Sequence, residues 1–226
     1  MNNQLTPSIP SQAAKNIKVF KGDLSPQRLS EHLRASEGDY LAADCEMMGL
    51  KPARDRLCLV QLCDPDGQVS LIQIGQGQTE APLLKQLLEA PKVTKVFHYG
   101  RTDLAYLHYY LEIAVAPLLC TKIASKLART YTERHGLREL ARELLALDLN
   151  KMQQSSDWGR DQLSQDQIEY AAGDVVHLLA IKDKLVTLLK REGRYELAES
   201  CWRQVALLAE LDLHGYEYVF EHHAPK

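Results

Sequence analysis

A chain of 226 residues is long enough to bury one well-packed core and is short for two domains. Hydrophobic residues are 45% and charged residues 25% of the sequence, as in ordinary globular proteins, and no apolar run approaches the roughly 20 residues of a membrane-spanning helix. The net charge of −3 argues against a broad basic surface that tracks a long nucleic acid, so a nucleic-acid substrate would have to be small or bind a local basic pocket.

The first 15 residues are polar, contain Pro7 and Pro10, and lack the basic start and apolar centre of a signal peptide, so we expect a disordered tail. The folded domain is predicted to span residues 16–213, followed by a C-terminal tail at 214–226. The cysteines are odd in number and have no CxxC spacing, which indicates reduced, largely buried thiols of a cytoplasmic protein. They are Cys45, Cys58, Cys63, Cys120 and Cys201.

The first half of the chain is rich in predicted strands. Residues 16–20 form a short strand candidate, followed by a helix that begins at Ser25-Pro26 and ends near Ala35. Three strands with short links then predict an antiparallel meander, and the turn Asp64-Pro65-Asp66-Gly67 joins its second and third strands. Two shorter strands follow between helices. The five predicted sheet strands are residues 40–46, 57–63, 69–74, 94–98 and 118–121.

The second half of the chain is mostly helical. Ser164 and Gln167 form a capping-box pattern that begins a long helix, and Gly193 ends it. The predicted helices after the meander are residues 81–88, 104–111, 122–131, 137–147, 165–191 and 195–208. The expected architecture is α/β: a five-stranded mixed sheet flanked by helices.

Two acids, Asp44 and Glu46, stand at the end of the first meander strand. Because they are two residues apart, both side chains project to the same face of the sheet. Adjacent carboxylates at the end of an apolar strand repel each other and lose hydration, and a divalent cation is the usual compensation. Oxygen ligands of this kind suit Mg²⁺ or Mn²⁺. The alternative is a strand end whose acids merely face water.

Further acids could complete such a site. Asp103 follows the fourth strand and is either a helix N-cap or a ligand. Asp174 lies within the long helix among small and apolar residues, where an aspartate is unfavourable without a partner. Tyr170 is one helical turn earlier on the same face. Gly173 costs about 1 kcal/mol relative to alanine, which suggests close approach of another backbone or of a substrate.

Carboxylates from different elements can hold two divalent ions about 3.5–4 Å apart. One ion lowers the pKa of a bound water, and the other stabilises the leaving 3′ oxygen of a phosphodiester. Three or four acids suffice for this arrangement, and Tyr170 could orient the attacking water from the rim.

The motifs Asp44-x-Glu46, Asp103 and Tyr170-x-x-x-Asp174 resemble, in order and placement, the DEDD-type 3′–5′ exonucleases of the tyrosine branch, and in particular the ribonuclease D family. The segments 56–62, 135–140 and 151–158 also match, and the resemblance covers about residues 18–213. It implies a ribonuclease-H-like 3′–5′ exonuclease fold. It also implies that the four acids hold two divalent metal ions, Mg²⁺ or Mn²⁺, and that Tyr170 positions the water.

The segments 120–127, 129–137 and 153–158 look like the stand-alone branch of this family, the nano-RNase C exonucleases. Only about sixty residues follow the start of the long helix, and we expect these to be too few for the helical nucleic-acid-binding domains of ribonuclease D itself. The resemblance implies a cytoplasmic homo-oligomer, an octamer, that cleaves short RNA and diribonucleotides above all. The alternatives are a trimming exonuclease acting on longer RNA or DNA 3′ ends and a non-catalytic RNA-binding module.

Leu50 and Met47 follow the first acids and are candidate substrate contacts. By resemblance to the corresponding stretch of oligoribonuclease, Leu50 would wedge between two bases; the alternative is that it packs in the core. His98 and Tyr99 could stack on a base or face the scissile phosphate, although a strand-end histidine is also often satisfied by backbone. Arg101 is a candidate phosphate contact.

Lys122, Lys126 and Arg129 have spacings that place them on one helix face. Lys122 and Arg129 are therefore predicted to bind a terminal phosphate, and a solvated face or a subunit contact is the alternative. Trp158 is interpreted as a lid or interface anchor, or else as a core residue. Cys45 takes the place of a hydroxyl residue that is common in this branch, with little expected effect because the backbone usually faces the substrate.

Overall fold

The computed structural model describes residues 16–149 and 152–222. The predicted N-terminal tail and the last four residues of the predicted C-terminal tail lie outside the described residues. None of the helices in the described ranges combines the length and the apolarity that crossing a bilayer requires.

A single mixed sheet forms the centre of the molecule. Across the described residues it has six strands in the spatial order β1-β4-β3-β2-β5-β6. Strands β2, β3 and β4 form the predicted antiparallel meander, and β5 and β6 extend it on the β2 side in parallel pairings. The bounds of the strands are β1 Asn16–Lys21, β2 Tyr40–Met47, β3 Leu57–Cys63, β4 Gln68–Gln73, β5 Thr94–Phe97 and β6 Leu118–Cys120.

The prediction of five strands in the sheet was wrong by one. The segment at the start of the domain is a strand, as its alternation suggested, and it pairs in parallel with β4, with Asn16 opposite Gln68 and Lys21 opposite Gln73. Its partner lies about fifty residues away in the chain, and local patterning predicts a strand but not the partner that it will find. The additional strand, β1, therefore occupies the edge of the sheet next to β4.

Helices cover both faces of the sheet and bury two apolar clusters. One cluster packs residues of α1, α2, α3 and the C-terminal half of α8 against one face, and the other packs residues of α4 to α7 and the N-terminal half of α8 against the opposite face. The bounds of the helices are α1 Pro26–Ser36, α2 Pro82–Leu88, α3 Arg101–Leu111, α4 Thr121–Ala128, α5 Leu137–Leu145, α6 Gln165–Val176, α7 Leu178–Arg191 and α8 Tyr195–Leu213.

The long helix predicted over residues 165–191 is two helices, α6 and α7, separated at His177. The two halves have different partners, because α6 packs against the meander strands whereas α7 packs against α4 and α5. Two consecutive β-branched residues, Val175 and Val176, precede the break, and such residues are stiff and weaken helix propagation. The predicted capping box at Ser164 is confirmed, with reciprocal bonds between Ser164 and Gln167.

Candidate active site

The site is built on the end of β2, which lies between β3 and β5 in the sheet. Ala42 belongs to the apolar cluster on the α6 side of the sheet, whereas Ala43 and Cys45 belong to the cluster on the other side. By the two-residue alternation of a strand, Asp44 and Glu46 therefore point toward α6. A register shift follows Glu46, so the regular ladder ends at the acids.

Helix α6 supplies the third acid. Carboxylate oxygens of Asp44, Glu46 and Asp174 all lie within 4.8 Å of one another. The Tyr170 hydroxyl, one turn before Asp174, donates a hydrogen bond to its carboxylate. Ala171 is fully buried, and its small side chain allows α6 to approach the sheet closely. The structure thus brings together three of the four predicted acids and the predicted tyrosine.

Asp103 lies beside this trio but outside it. Helix α3 begins at Arg101 with Gly100 as N-cap, so Asp103 sits inside the first turn and its interpretation as an N-cap was wrong. Its carboxylate is buried and accepts hydrogen bonds from the Cys45 backbone N–H and thiol. Cys45 therefore orients Asp103 through its side chain, a contact that the sequence did not reveal because the thiol points to the opposite face from Asp44.

Burial dominates the electrostatics of the acids. It raises the pKa of Asp44 well above its usual range, and the neighbouring carboxylates raise it further. Burial, assisted by Asp174 and Asp103, raises the pKa of Glu46 to about 9. Burial also raises the pKa of Asp103 and of Asp174 to about 7, and it raises the pKa of the Tyr170 phenol, which therefore stays protonated. Such a cluster favours either protons or a divalent cation.

The metal-free protein is expected to lose thermal stability as the pH rises from 7 to 9. The unfolded chain releases the Glu46 proton near pH 4.5, whereas the folded protein holds it up to a pKa of about 9, so folding becomes less favourable across this window. Melting temperatures measured at pH 7, 8 and 9 with a chelator would test this. Glu46→Gln should reduce the fall, and an equal slope in this variant would contradict the assignment.

A cavity of about 250 Å³ adjoins the acids. Asp44, Asp174, Tyr170 and His98 line it together with the start of α5. The Thr121 hydroxyl donates to the Phe97 carbonyl, and it therefore accepts from Nδ1–H of His98 at 3.0 Å. Burial lowers the pKa of His98 to about 3, so the ring is neutral. The His98 ring is therefore fixed beside the cavity. The partner of its Nδ1 is the Thr121 side chain and not a backbone group.

Leu50 does not pack in the core, because it is 80% exposed. The loop that carries it is nevertheless firmly held. The Tyr106 hydroxyl donates to the Gly49 carbonyl at 3.0 Å, and the Lys51 N–H donates to Asp55 at 3.0 Å. A large apolar side chain on a fixed loop close to the acids has the exposure that a base contact requires. Met47 ends β2 and is half-buried.

The predicted basic face on α4 is wrong for one of its three members. Helix α4 ends at Ala128, so Arg129 lies beyond it and turns inward, where it is fully buried and bonds Ser125, the Arg134 carbonyl and Glu143. Lys126 is exposed. Helical spacing could not place a residue that follows the end of the helix.

The other basic and aromatic candidates are also placed by the structure. The Lys122 ammonium lies 4.1 Å from the centre of the Tyr99 ring, which is half-exposed. Arg101 forms a bidentate ion pair with Asp212 of α8 and gives no support to a phosphate contact. Lys122 and Tyr99 therefore remain predicted substrate contacts, whereas Arg101 and Arg129 are committed to internal partners.

Trp158 is a core residue that packs against Tyr170 of the site. Only 1% of it is exposed, and its ring lies 5.9 Å from the Tyr170 ring. The Gln167 amide donates to the Ser156 hydroxyl at 2.9 Å and to the Asp157 carbonyl at 3.0 Å. Gln167, recognised in the sequence only as a capping residue, therefore also ties this loop to the start of α6.

Gly173→Ala is expected to raise the free energy of unfolding by about 0.5–1 kcal/mol, because alanine has the higher helix propensity. A Cβ built at Gly173 meets no atom of the described residues within 4 Å, so close approach of another backbone does not explain this glycine. Urea unfolding would measure the gain, and a destabilised variant would contradict it. Lost activity in a stabilised variant would show that the substrate approaches Gly173.

Known proteins share the sequence pattern and the fold of this chain. Residues 18–190 match the family model described as a 3′–5′ exonuclease. Ribonuclease D of Gluconacetobacter diazotrophicus is 35% identical over 161 residues, which are 71% of this chain and 40% of that protein. The chain thus spans well under half the length of this curated relative.

Solved structures of Brucella melitensis NrnC are also similar. One is 46% identical, with a TM-score of 0.85, and the match covers 92% of this chain and 99% of the other. Further structures of that protein contain Mg²⁺ or pGG. Escherichia coli RNase D is 27% identical with a TM-score of 0.75, over 86% of this chain and 51% of the other. The chain therefore belongs to the ribonuclease D-like 3′–5′ exonuclease family, which has the ribonuclease-H-like fold.

Proposed function

We propose that this protein is a metal-dependent 3′–5′ exoribonuclease that hydrolyses short oligoribonucleotides, dinucleotides above all, to nucleoside 5′-monophosphates. The observation that carries the proposal is the convergence of Asp44, Glu46 and Asp174 beside Tyr170 at the edge of a cavity. Carboxylate oxygens within 4.8 Å of one another are a donor set suited to Mg²⁺ or Mn²⁺. Metal binding would also relieve the mutual repulsion of these buried acids.

Asp44, Glu46 and Asp174 would hold the metal, and Asp103 is the fourth candidate ligand of a two-metal site. Two bound divalent ions supply an activated water and stabilise the leaving 3′ oxygen. Because the Tyr170 phenol stays protonated and donates to Asp174, its oxygen lone pairs remain available to accept a hydrogen bond from the attacking water. Tyr170 would thereby orient this water toward the phosphodiester.

Three observations support a short substrate. Leu50 is exposed on a fixed loop, where it could separate two bases, and Met47, His98, Tyr99 and Lys122 are the further proposed contacts. The net charge of −3 does not favour a long electrostatic track. A structure of Brucella melitensis NrnC contains pGG, which is consistent with short RNA as substrate.

The protein is also proposed to be a cytoplasmic homo-oligomer, with an octamer as the expected form. Large apolar side chains near the end of the described chain are exposed and would be covered by association: Leu207, Tyr216, Val219 and Phe220. Light scattering of the purified protein would measure the mass, and a monomer at micromolar concentration would contradict this part of the proposal.

The decisive experiment compares initial rates on 5′-labelled RNAs from two to about ten nucleotides long, with Mg²⁺ or Mn²⁺ present. The expected result is release of nucleoside 5′-monophosphate, fastest for the dinucleotide. A rate that is flat or rises with length would favour a trimming exonuclease of the ribonuclease D type. Binding without release of mononucleotide at any length would instead favour a non-catalytic RNA-binding module.

A further inference from the structure

One glutamine is buried in the centre of the sheet without a hydrogen-bond partner among the described residues. Gln61 lies in the middle of β3 and is fully buried. Neither its amide nitrogen nor its amide oxygen has a hydrogen-bond partner among the described residues. Its neighbours on the same face of the strand, Leu59 and Cys63, are apolar core residues. Buried carboxamides are normally bonded, so an unpartnered one calls for an explanation.

The position of Gln61 suggests the explanation. In the antiparallel pairing of β2 and β3, Gln61 stands directly opposite Asp44. Side chains of directly opposite residues project to the same face of the sheet, with Cβ atoms about 4.5–5.5 Å apart. The Cβ atoms of Gln61 and Asp44 are therefore neighbours on the side of the sheet that faces α6, although the Gln61 amide makes no hydrogen bond to Asp44 in the metal-free protein. The pairing beside it is regular, because the register shift comes only after Glu46.

A carboxylate that binds a metal uses only some of its lone pairs, and neighbouring donors usually satisfy the others and set its orientation. A glutamine amide is a suitable donor, since it carries two N–H bonds and no charge. The amide oxygen would remain an acceptor. The buried indole N–H of Trp158 also has no partner among the described residues, and Trp158 belongs to the same apolar cluster as Leu59.

We propose that Gln61 is a positioning residue for the metal site: its amide donates to the Asp44 carboxylate when Asp44 holds a divalent ion. The inference rests on the proposed function only in requiring that ion. The buried Gln61 amide then lacks a hydrogen bond in the metal-free protein, which costs stability, and gains one when the metal is bound.

Gln61→Met tests the proposal, because methionine is similar in length and unbranched but cannot donate. The full-length variant should fold, with a metal-free melting temperature equal to or above that of the wild type. Titration calorimetry should show a roughly tenfold higher dissociation constant for Mn²⁺. The melting-temperature rise caused by Mn²⁺ should shrink accordingly. Neither readout requires catalysis.

Leu59→Met is the matched control, since it alters packing on the same strand and face without removing a donor. It should leave Mn²⁺ affinity within twofold of the wild-type value. An unchanged Mn²⁺ dissociation constant in Gln61→Met would overturn the inference. If Gln61→Met does not fold, Gln61→Asn, which keeps the carboxamide but shortens its reach, replaces it with the same expected loss. Failure of the wild type to bind Mn²⁺ would instead refute the proposed function.

Discussion

Asp174→Asn is expected to reduce mononucleotide release from a diribonucleotide by on the order of 10³-fold, because it replaces one of three converging carboxylate ligands with a neutral amide and leaves Tyr170 with an uncharged, weaker acceptor. The same change should not unfold the metal-free protein. Burial raises the pKa of Asp174 to about 7, so at pH 8 a neutral amide removes an unfavourable buried charge. A higher melting temperature at pH 8 with a chelator is therefore expected together with the lost activity.

Asp183→Asn is a suitable control for this experiment. Asp183 is an acid on α7 with an exposed side chain, and its replacement removes the same charge away from the site. Wild-type rates are expected for the control at every metal concentration. Asp174→Asn is measured at saturating Mg²⁺ or Mn²⁺. A rate above about a tenth of the wild-type rate would contradict the assignment of Asp174 as a metal ligand.

Leu50→Ala is expected to lower kcat/KM for diribonucleotides by roughly 10- to 100-fold, because burying an exposed leucine side chain against bases is worth about 1.5–3 kcal/mol. The loss should grow as the substrate shortens, since a two-base substrate has few other contacts. The fold should be unaffected, because Leu50 is 80% exposed and its loop is fixed by a hydrogen bond from the Tyr106 hydroxyl to Gly49 and by one from the Lys51 N–H to Asp55. Initial rates on the RNA length series measure this effect.

Leu197→Ala is the matched control, since Leu197 is also an exposed leucine, 54% exposed, on α8. Its rates should equal those of the wild type. Unchanged dinucleotide turnover by a folded Leu50→Ala protein would remove the wedge role. An equal loss on all lengths would assign Leu50 to a contact at the cleavage point and not to the selection of short RNA.

The local structure of this protein was largely predictable from local patterns. The meander of β2, β3 and β4 follows from three short apolar runs and tight links, one of them at Asp64–Gly67, where the Gly67 N–H bonds the Asp64 carbonyl at 2.9 Å. The start of α6 follows from the capping box at Ser164. The division of α6 from α7 and the pairing of β1 with β4 were missed, because each depends on partners distant in the chain.

The sequence predicted which acids and which tyrosine come together in the candidate site, but not the contacts of the surrounding arginines. The spacing of Asp44 and Glu46 implied a shared face, and the spacing of Tyr170 and Asp174 implied a shared turn; both are observed. The contacts of Arg101 and Arg129 could not be foreseen, because their partners come from α8 and α5. Such ion pairs form only when separate elements meet in the fold.

The sequence by itself indicated the candidate residues of the site, since strand and helix periods dictate which way side chains face within one element. Only the tertiary structure decided how those elements meet. It brings the carboxylates of β2 and α6 within 4.8 Å of one another, holds Asp103 against Cys45, and places unpartnered Gln61 opposite Asp44. The physical reason is that burial and proximity, which shift the pKa of these acids and make a cation favourable, arise from packing between elements. The metal affinity that we propose for the two acids at the end of β2 depends on that packing.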